Sequence, residues 1–136
     1  MSFTPIRRFE GKAKELPISG STTLTKYSIA KMSSGYLVAG AANDDEVQYV
    51  CLETKTNSGS SGASSALVLP VDETMDFEAL TGTTPVQATH VGTSVDFGSA
   101  AALDLTATTD KVFFIDSIKS AADKIVVGRF NKPAIA

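Results

Sequence analysis

Apolar and polar residues alternate in short runs along most of this chain, and turn-forming residues interrupt each run before it grows long. Residues 22–32 read as a strand, with Tyr27 and Ile29 set against Lys26, Ser28 and Lys31. Ser33-Ser34-Gly35 is a turn, and residues 36–39 form the return strand. After a small polar-and-alanine loop at 40–45, residues 46–54 place Val47, Tyr49 and Cys51 on one face and Gln48, Val50 and Leu52 on the other. Both faces carry apolar groups, which suits a strand covered on both sides.

Residues 57–65 (Asn-Ser-Gly-Ser-Ser-Gly-Ala-Ser-Ser) read as a flexible loop of low complexity. Strands are expected over 66–71, 75–80, 85–90 and 93–97, with 98–102 a loop or a single helical turn. Residues 111–117 and 124–130 form a hairpin around Ser120-Ala121-Ala122-Asp123. Its alternation assigns Val112, Phe114, Val126 and Phe130 to the core. Phe113 and Ile115 then face a second layer or a neighbouring subunit. No window shows sustained helical periodicity, and no repeat of 20–50 residues recurs. The expected fold is all-β, a small barrel or sandwich of about eight short strands.

The first twenty residues break the pattern. They contain Pro5, Pro17, Gly11 and Gly20, and their apolar residues keep no period. The expectation is an extended N-terminal arm over residues 1–20, followed by a single β domain over 21–136. Residues 1–15 hold four basic side chains against two acidic ones, so the rest of the chain, whose net charge is −3 overall, carries −5.

Composition narrows the function classes. The 136 residues suit one compact domain. Ser and Thr fill 30 of them, and threonine favours a pleated, half-buried surface. The mild acidity argues against a nucleic-acid partner. No apolar run approaches the roughly 20 residues that span a bilayer, and no secretory leader is recognisable, so a soluble protein made inside the cell is expected.

Candidate chemistry is sparse. Cys51, the one cysteine, makes no internal disulfide and sits where a thiol behaves as a small hydrophobe. His90, the one histidine, has no metal-ligand spacing around it. Asp44-Asp45-Glu46 and the set Asp72, Glu73, Asp76 and Glu78 do not match a calcium loop and read as solvated turn charges. Gly59-Ser60-Ser61-Gly62 lacks the lysine of a phosphate-binding loop. No catalytic, metal or cofactor site is expected, and the chain reads as a non-enzyme.

The order of segments does resemble a known group. "YLVAGAANDDEV" and "QYVCLET" are followed by "HVGTSVDF", "LDLTATTDKVFFIDSI" and a closing "DKIVVGRF". This is similar to the small capsid cement, or head-decoration, proteins of tailed bacteriophages. They carry a Val-Gly-x-x-x-Asp segment, then "ATTxxxF", then a final "VVGxF" strand. The likeness spans residues 22–132.

It implies a virion protein, made in the host cytoplasm, that binds the outside of the major capsid protein and stabilises the shell. Its further partners would be neighbouring copies of itself, as a trimer or dimer. Other virion subunits, such as a tail-tube or head-fibre base protein, are the competing class, and a carbohydrate-binding β module is a third. Under the cement reading the arm lies over an adjacent subunit, with Phe3, Ile6, Phe9, Leu16 and Ile18 as apolar anchors and Arg7 and Arg8 meeting acidic groups.

Overall fold

The computed structural model describes residues 2–42, 44–45 and 47–131. Glu46, the start of one expected strand, and the end of the 21–136 domain lie outside them. The described chain is mainly β, with strands over about half of it. Its strands are β1 (Phe3–Arg7), β2 (Lys14–Pro17), β3 (Thr22–Leu24), β4 (Ile29–Ser33), β5 (Tyr36–Ala39), β6 (Tyr49–Cys51) and β7 (Lys55–Asn57). Then come β8 (Ser65–Pro70), β9 (Asp76–Leu80), the single helical turn α1 (Gln87–His90), β10 (Ser94–Ser99), β11 (Ala102–Asp104), β12 (Phe113–Ser120) and β13 (Ile125–Phe130). A six-stranded sheet runs β1-β9-β13-β12-β10-β11, a five-stranded sheet β2-β8-β6-β4-β5, and β3 pairs with β7 alone.

The five-stranded sheet is the middle of the molecule. Its successive residues point to opposite faces, as a pleated strand requires. Ile29, Val50 and Leu69 join one apolar cluster with the six-stranded sheet. Their chain neighbours Ala30, Cys51 and Val68 join a second cluster with Leu24 of the small sheet. The two-sided reading therefore holds over residues 49–52, although Val47 joins Val50 in the first cluster rather than Tyr49 and Cys51 in the second. Both larger sheets also bend. Thr81 meets Leu103 and Ile18 meets Leu37 through single parallel bridges, so each sheet curls back without closing a barrel.

Several segments differ from the sequence reading. Residues 22–32 split into β3 and β4 because Tyr27 adopts φ 65°. In that conformation Tyr27 N–H donates to the Cys51 carbonyl at 2.6 Å, and its own carbonyl accepts Phe3 N–H at 2.7 Å. Residues 85–90 are a helical turn rather than a strand, since His90 N–H donates to the Val86 carbonyl at 2.8 Å. Residues 100–101 join the β10–β11 hairpin. The 57–65 loop is pinned by Asn57, whose buried amide donates to the carbonyls of Ile18, Ser19 and Ser60.

The largest correction concerns residues 1–20, which form no arm outside the core. β1 is an edge strand of the six-stranded sheet and β2 an edge strand of the five-stranded one. Pro5 and Pro17 are compatible with that, because an edge strand tolerates a residue that donates no ladder hydrogen bond.

Three of the four residues expected in the core of the closing hairpin, Val112, Val126 and Phe130, are buried, but β12 is inverted over residues 113–115. Val112, Phe113, Ile115, Val126 and Phe130 are buried, whereas Phe114 turns outward beneath Arg129. Val112 and Phe113 are both buried although adjacent, so the alternation begins anew at Phe113 and residues 113–115 change face. Phe113→Ala should cost about 3–5 kcal/mol in unfolding free energy, and Phe114→Ala about 1 kcal/mol or less. Urea denaturation of the two variants measures the difference, and equal costs would contradict these faces.

Candidate functional site

The seven residues expected to reach a neighbouring subunit divide into two groups. Phe3 and Ile18 are fully buried within this chain. Phe3 packs its ring against Phe97 at 5.7 Å and Phe130 at 5.4 Å, and Ile18 belongs to the second cluster. Neither has surface to offer a partner. Arg7 and Arg8 are exposed, and Ile6, Phe9 and Leu16 are half-buried. Phe9 leans on the main core and Leu16 on the second cluster. Removing Phe3 should therefore unfold the domain. Phe3→Ala is expected to cost about 3–5 kcal/mol, and deletion of residues 2–8 to abolish the cooperative thermal transition. A deletion variant that melted like the intact chain would refute this placement.

The basic side chains near the N-terminus do meet acidic groups, but those of their own chain. Arg7 Nε lies 2.9 Å from Asp76, and Lys12 Nζ lies 3.3 Å from Asp72. Arg8 donates to the Thr74 carbonyl at 3.3 Å. The +2 segment is thus folded onto an acidic turn at 72–76, and much of the charge asymmetry is neutralised locally. Slight burial acts to raise the Asp72 carboxyl. The Thr74 hydroxyl and amide, together with Lys12, outweigh it and hold the group below its ordinary value.

A carboxyl that titrates lower when folded adds stability above the unfolded-state value and loses it as the pH falls. The pair is exposed, so the effect is small. The urea midpoint should fall below about pH 4, and Asp72→Asn should flatten that decline. A midpoint that rose on acidification would contradict the ion pair.

Two polar residues that the sequence reading passed over organise the loops. Asp96, buried on β10, accepts the backbone N–H groups of Thr109, Asp110 and Lys111 at 2.8–3.2 Å. It holds the 107–111 loop against the sheet as Asn57 holds the 57–65 loop. The signal was present, because Asp96 stands between Val95 and Phe97 in a strand whose neighbours are buried.

The chemistry-bearing residues are not brought together. Cys51 is buried beside Ser28, and loss of solvation pushes its thiol up to about 11. The His90 Nδ1 accepts the Val86 N–H at 2.8 Å. No three His, Cys, Asp or Glu side chains converge among the described residues. A recess of about 290 Å³ lies between Gly82-Thr83 and the β10–β11 hairpin, beside Ser99 and Asp104. A second, of about 370 Å³, is bordered by Lys31, Asp44, Asp45 and Gln48, and a 2.7 Å Lys31–Asp44 ion pair occupies its rim.

Neither a family model nor a curated protein matches the sequence. A solved structure matches the fold: the head fibre gp8.5 N base of bacteriophage phi29. The TM-score is 0.57 at 10% identity, over 91% of this chain and 98% of that one. At this identity the likeness is one of fold.

Proposed function

We propose that this chain is a structural, non-enzymatic protein of a bacteriophage virion that attaches to the outside of the head shell. The observation that carries the reading is the fold shared with a head-fibre base over nearly the whole of both chains. Attachment to the shell is common to a fibre base and to the cement proteins that the motif order resembles. Fold and motif order thus favour the same partner, the major capsid protein. Of the alternatives, the head-fibre base is the one this likeness favours over a tail-tube subunit or a sugar-binding module.

The contact would be many weak bonds repeated over a lattice, where avidity replaces a deep pocket. The β1–β2 connection is the part of the N-terminal region suited to it. Arg8 is exposed there at φ 63°, and Phe9 and Leu16 flank the loop.

The test is co-sedimentation with empty heads of the phage that encodes the protein. The intact chain should pellet with the shells and saturate at a fixed number of copies per head, and Arg8→Glu should weaken binding without shifting the thermal transition. Assembly into stacked rings without shell binding would replace this reading with a tail-tube subunit. Binding to glycans with no affinity for shells would replace it with a sugar-binding module.

A further inference from the structure

The five-stranded sheet is covered on both faces, but the six-stranded sheet is covered on one, apart from β10, where the 107–111 loop lies over Asp96. Its outward side chains join neither core cluster. Leu80, Phe114, Ile125 and Val127 lie there half-buried, with Leu80 directly opposite Ile125 in the ladder. Around them stand three ion pairs: Arg7–Asp76 at 2.9 Å, Lys119–Glu78 at 2.8 Å and Arg129–Asp116 at 3.6 Å. Across β1, β9, β13 and β12 three cations and three carboxylates balance, in a chain of net charge −3, and the further carboxylates Asp96 and Asp104 lie beyond this patch on β10 and β11.

Bulges put these charges there. Ile6, Asp116 and Lys119 fall where the pairing register shifts. A bulge interrupts the alternation of faces and re-aims a side chain. It lets Arg7 come level with Asp76, and it sends Asp116 and Lys119 out of the ladder to reach Arg129 and Glu78.

The charges are ordered by strand. Across β1, β9, β13 and β12 the order runs Arg7, Asp76 with Glu78, Arg129, Asp116, with Lys119 at the far end of β12. A two-fold axis parallel to the strands, between β9 and β13, would lay a second copy on this face with its β13 over β9 and its β12 over β1. Each carboxylate strand would then meet a cationic one, and Leu80 would meet Ile125. We infer that the outer face of the six-stranded sheet is a self-complementary surface that pairs with a second copy of this chain. Such an interface is isologous, each contact occurring twice. A partner of strong single charge would find no matching field on a neutral face, whereas a second copy finds its own pattern reversed. None of these contacts involves the shell.

The test uses the purified full chain in analytical ultracentrifugation across a concentration series. The expected species is a dimer of 14.2 kDa chains. Ile125→Glu should make it monomeric, with circular dichroism and urea midpoint unchanged. Val86→Glu, on the 85–91 turn, should leave the dimer intact. Arg129→Glu and Asp76→Lys should each weaken self-association by about tenfold or more. An equimolar mixture of those two variants should recover a dimer, because the carboxylate introduced at position 129 of one copy would face the ammonium introduced at position 76 of the other.

A monomer at millimolar concentration overturns the inference. So does a trimer, or a dimer that survives Ile125→Glu. If the chain is monomeric and Ile125→Glu instead abolishes shell co-sedimentation, the face belongs to the shell protein and self-pairing is wrong.

Discussion

Phe130, the last residue of the last strand, is the contact on which the two ends of the chain depend. Its ring lies 5.4 Å from Phe3, 4.9 Å from Phe77, 6.1 Å from Phe97 and 5.1 Å from Phe113. Those five rings come from five strands, so burying any one requires that the others already be in place. Edge-to-face pairs add about 0.5–1.5 kcal/mol each beyond the area they bury. That is enough for the cluster to fix β1 at the edge of the sheet against the entropy of an otherwise free terminus. In a chain with no Trp, these rings are the largest side chains of the main core.

The motifs behind the cement-protein resemblance have structural duties in this chain. The Asp of "HVGTSVDF" is Asp96, and the amides it gathers belong to the last residue of "ATT" and the two that follow it. The Gly of "VVGRF" is Gly128, where an added Cβ would run into the carbonyl oxygen of Phe114, so β13 can approach β12 only without a side chain there. The Phe of the same motif is the ring hub itself. These residues specify a loop anchor, a close strand approach and a core. They are informative about fold and silent about partner, because function resides in sites carried by a fold rather than in the fold.

What the sequence made legible follows the same division. The β4–β5 hairpin could be read because Ser34 and Gly35 both take positive φ, which two-residue hairpin turns require. The two-sided strand around Val50 and Cys51 could be read from its composition. Tyr27 could not, since a tyrosine in the left-handed region is imposed by its backbone partners on β1 and β6 and has no local signature. Nor could the N-terminal strands, because proline is as compatible with a sheet edge as with a loose arm. The outer face of the six-stranded sheet was the least visible feature. Three bulged residues interrupt the period that sequence patterning relies on, and the same three bring its charges into line.

The two sheets thus divide the work unequally. The five-stranded sheet spends most of both faces on burial, with Leu67 of β8 left exposed. Its exposed margins carry Ser, Thr and charged groups that neither core constrains. The six-stranded sheet anchors the fold through its inner face alone, and the geometry of its outer face is fixed by the rings behind it. A substitution at Arg129, Glu78 or Ile125 therefore changes what the surface meets without reaching the aromatic cluster. A substitution at Gly128, beside Arg129 on β13, or at Phe113 on the adjoining β12 removes the surface altogether. That separation lets a protein of this kind change partner while keeping its fold, and it is physically compatible with the low identity at which the fold is shared.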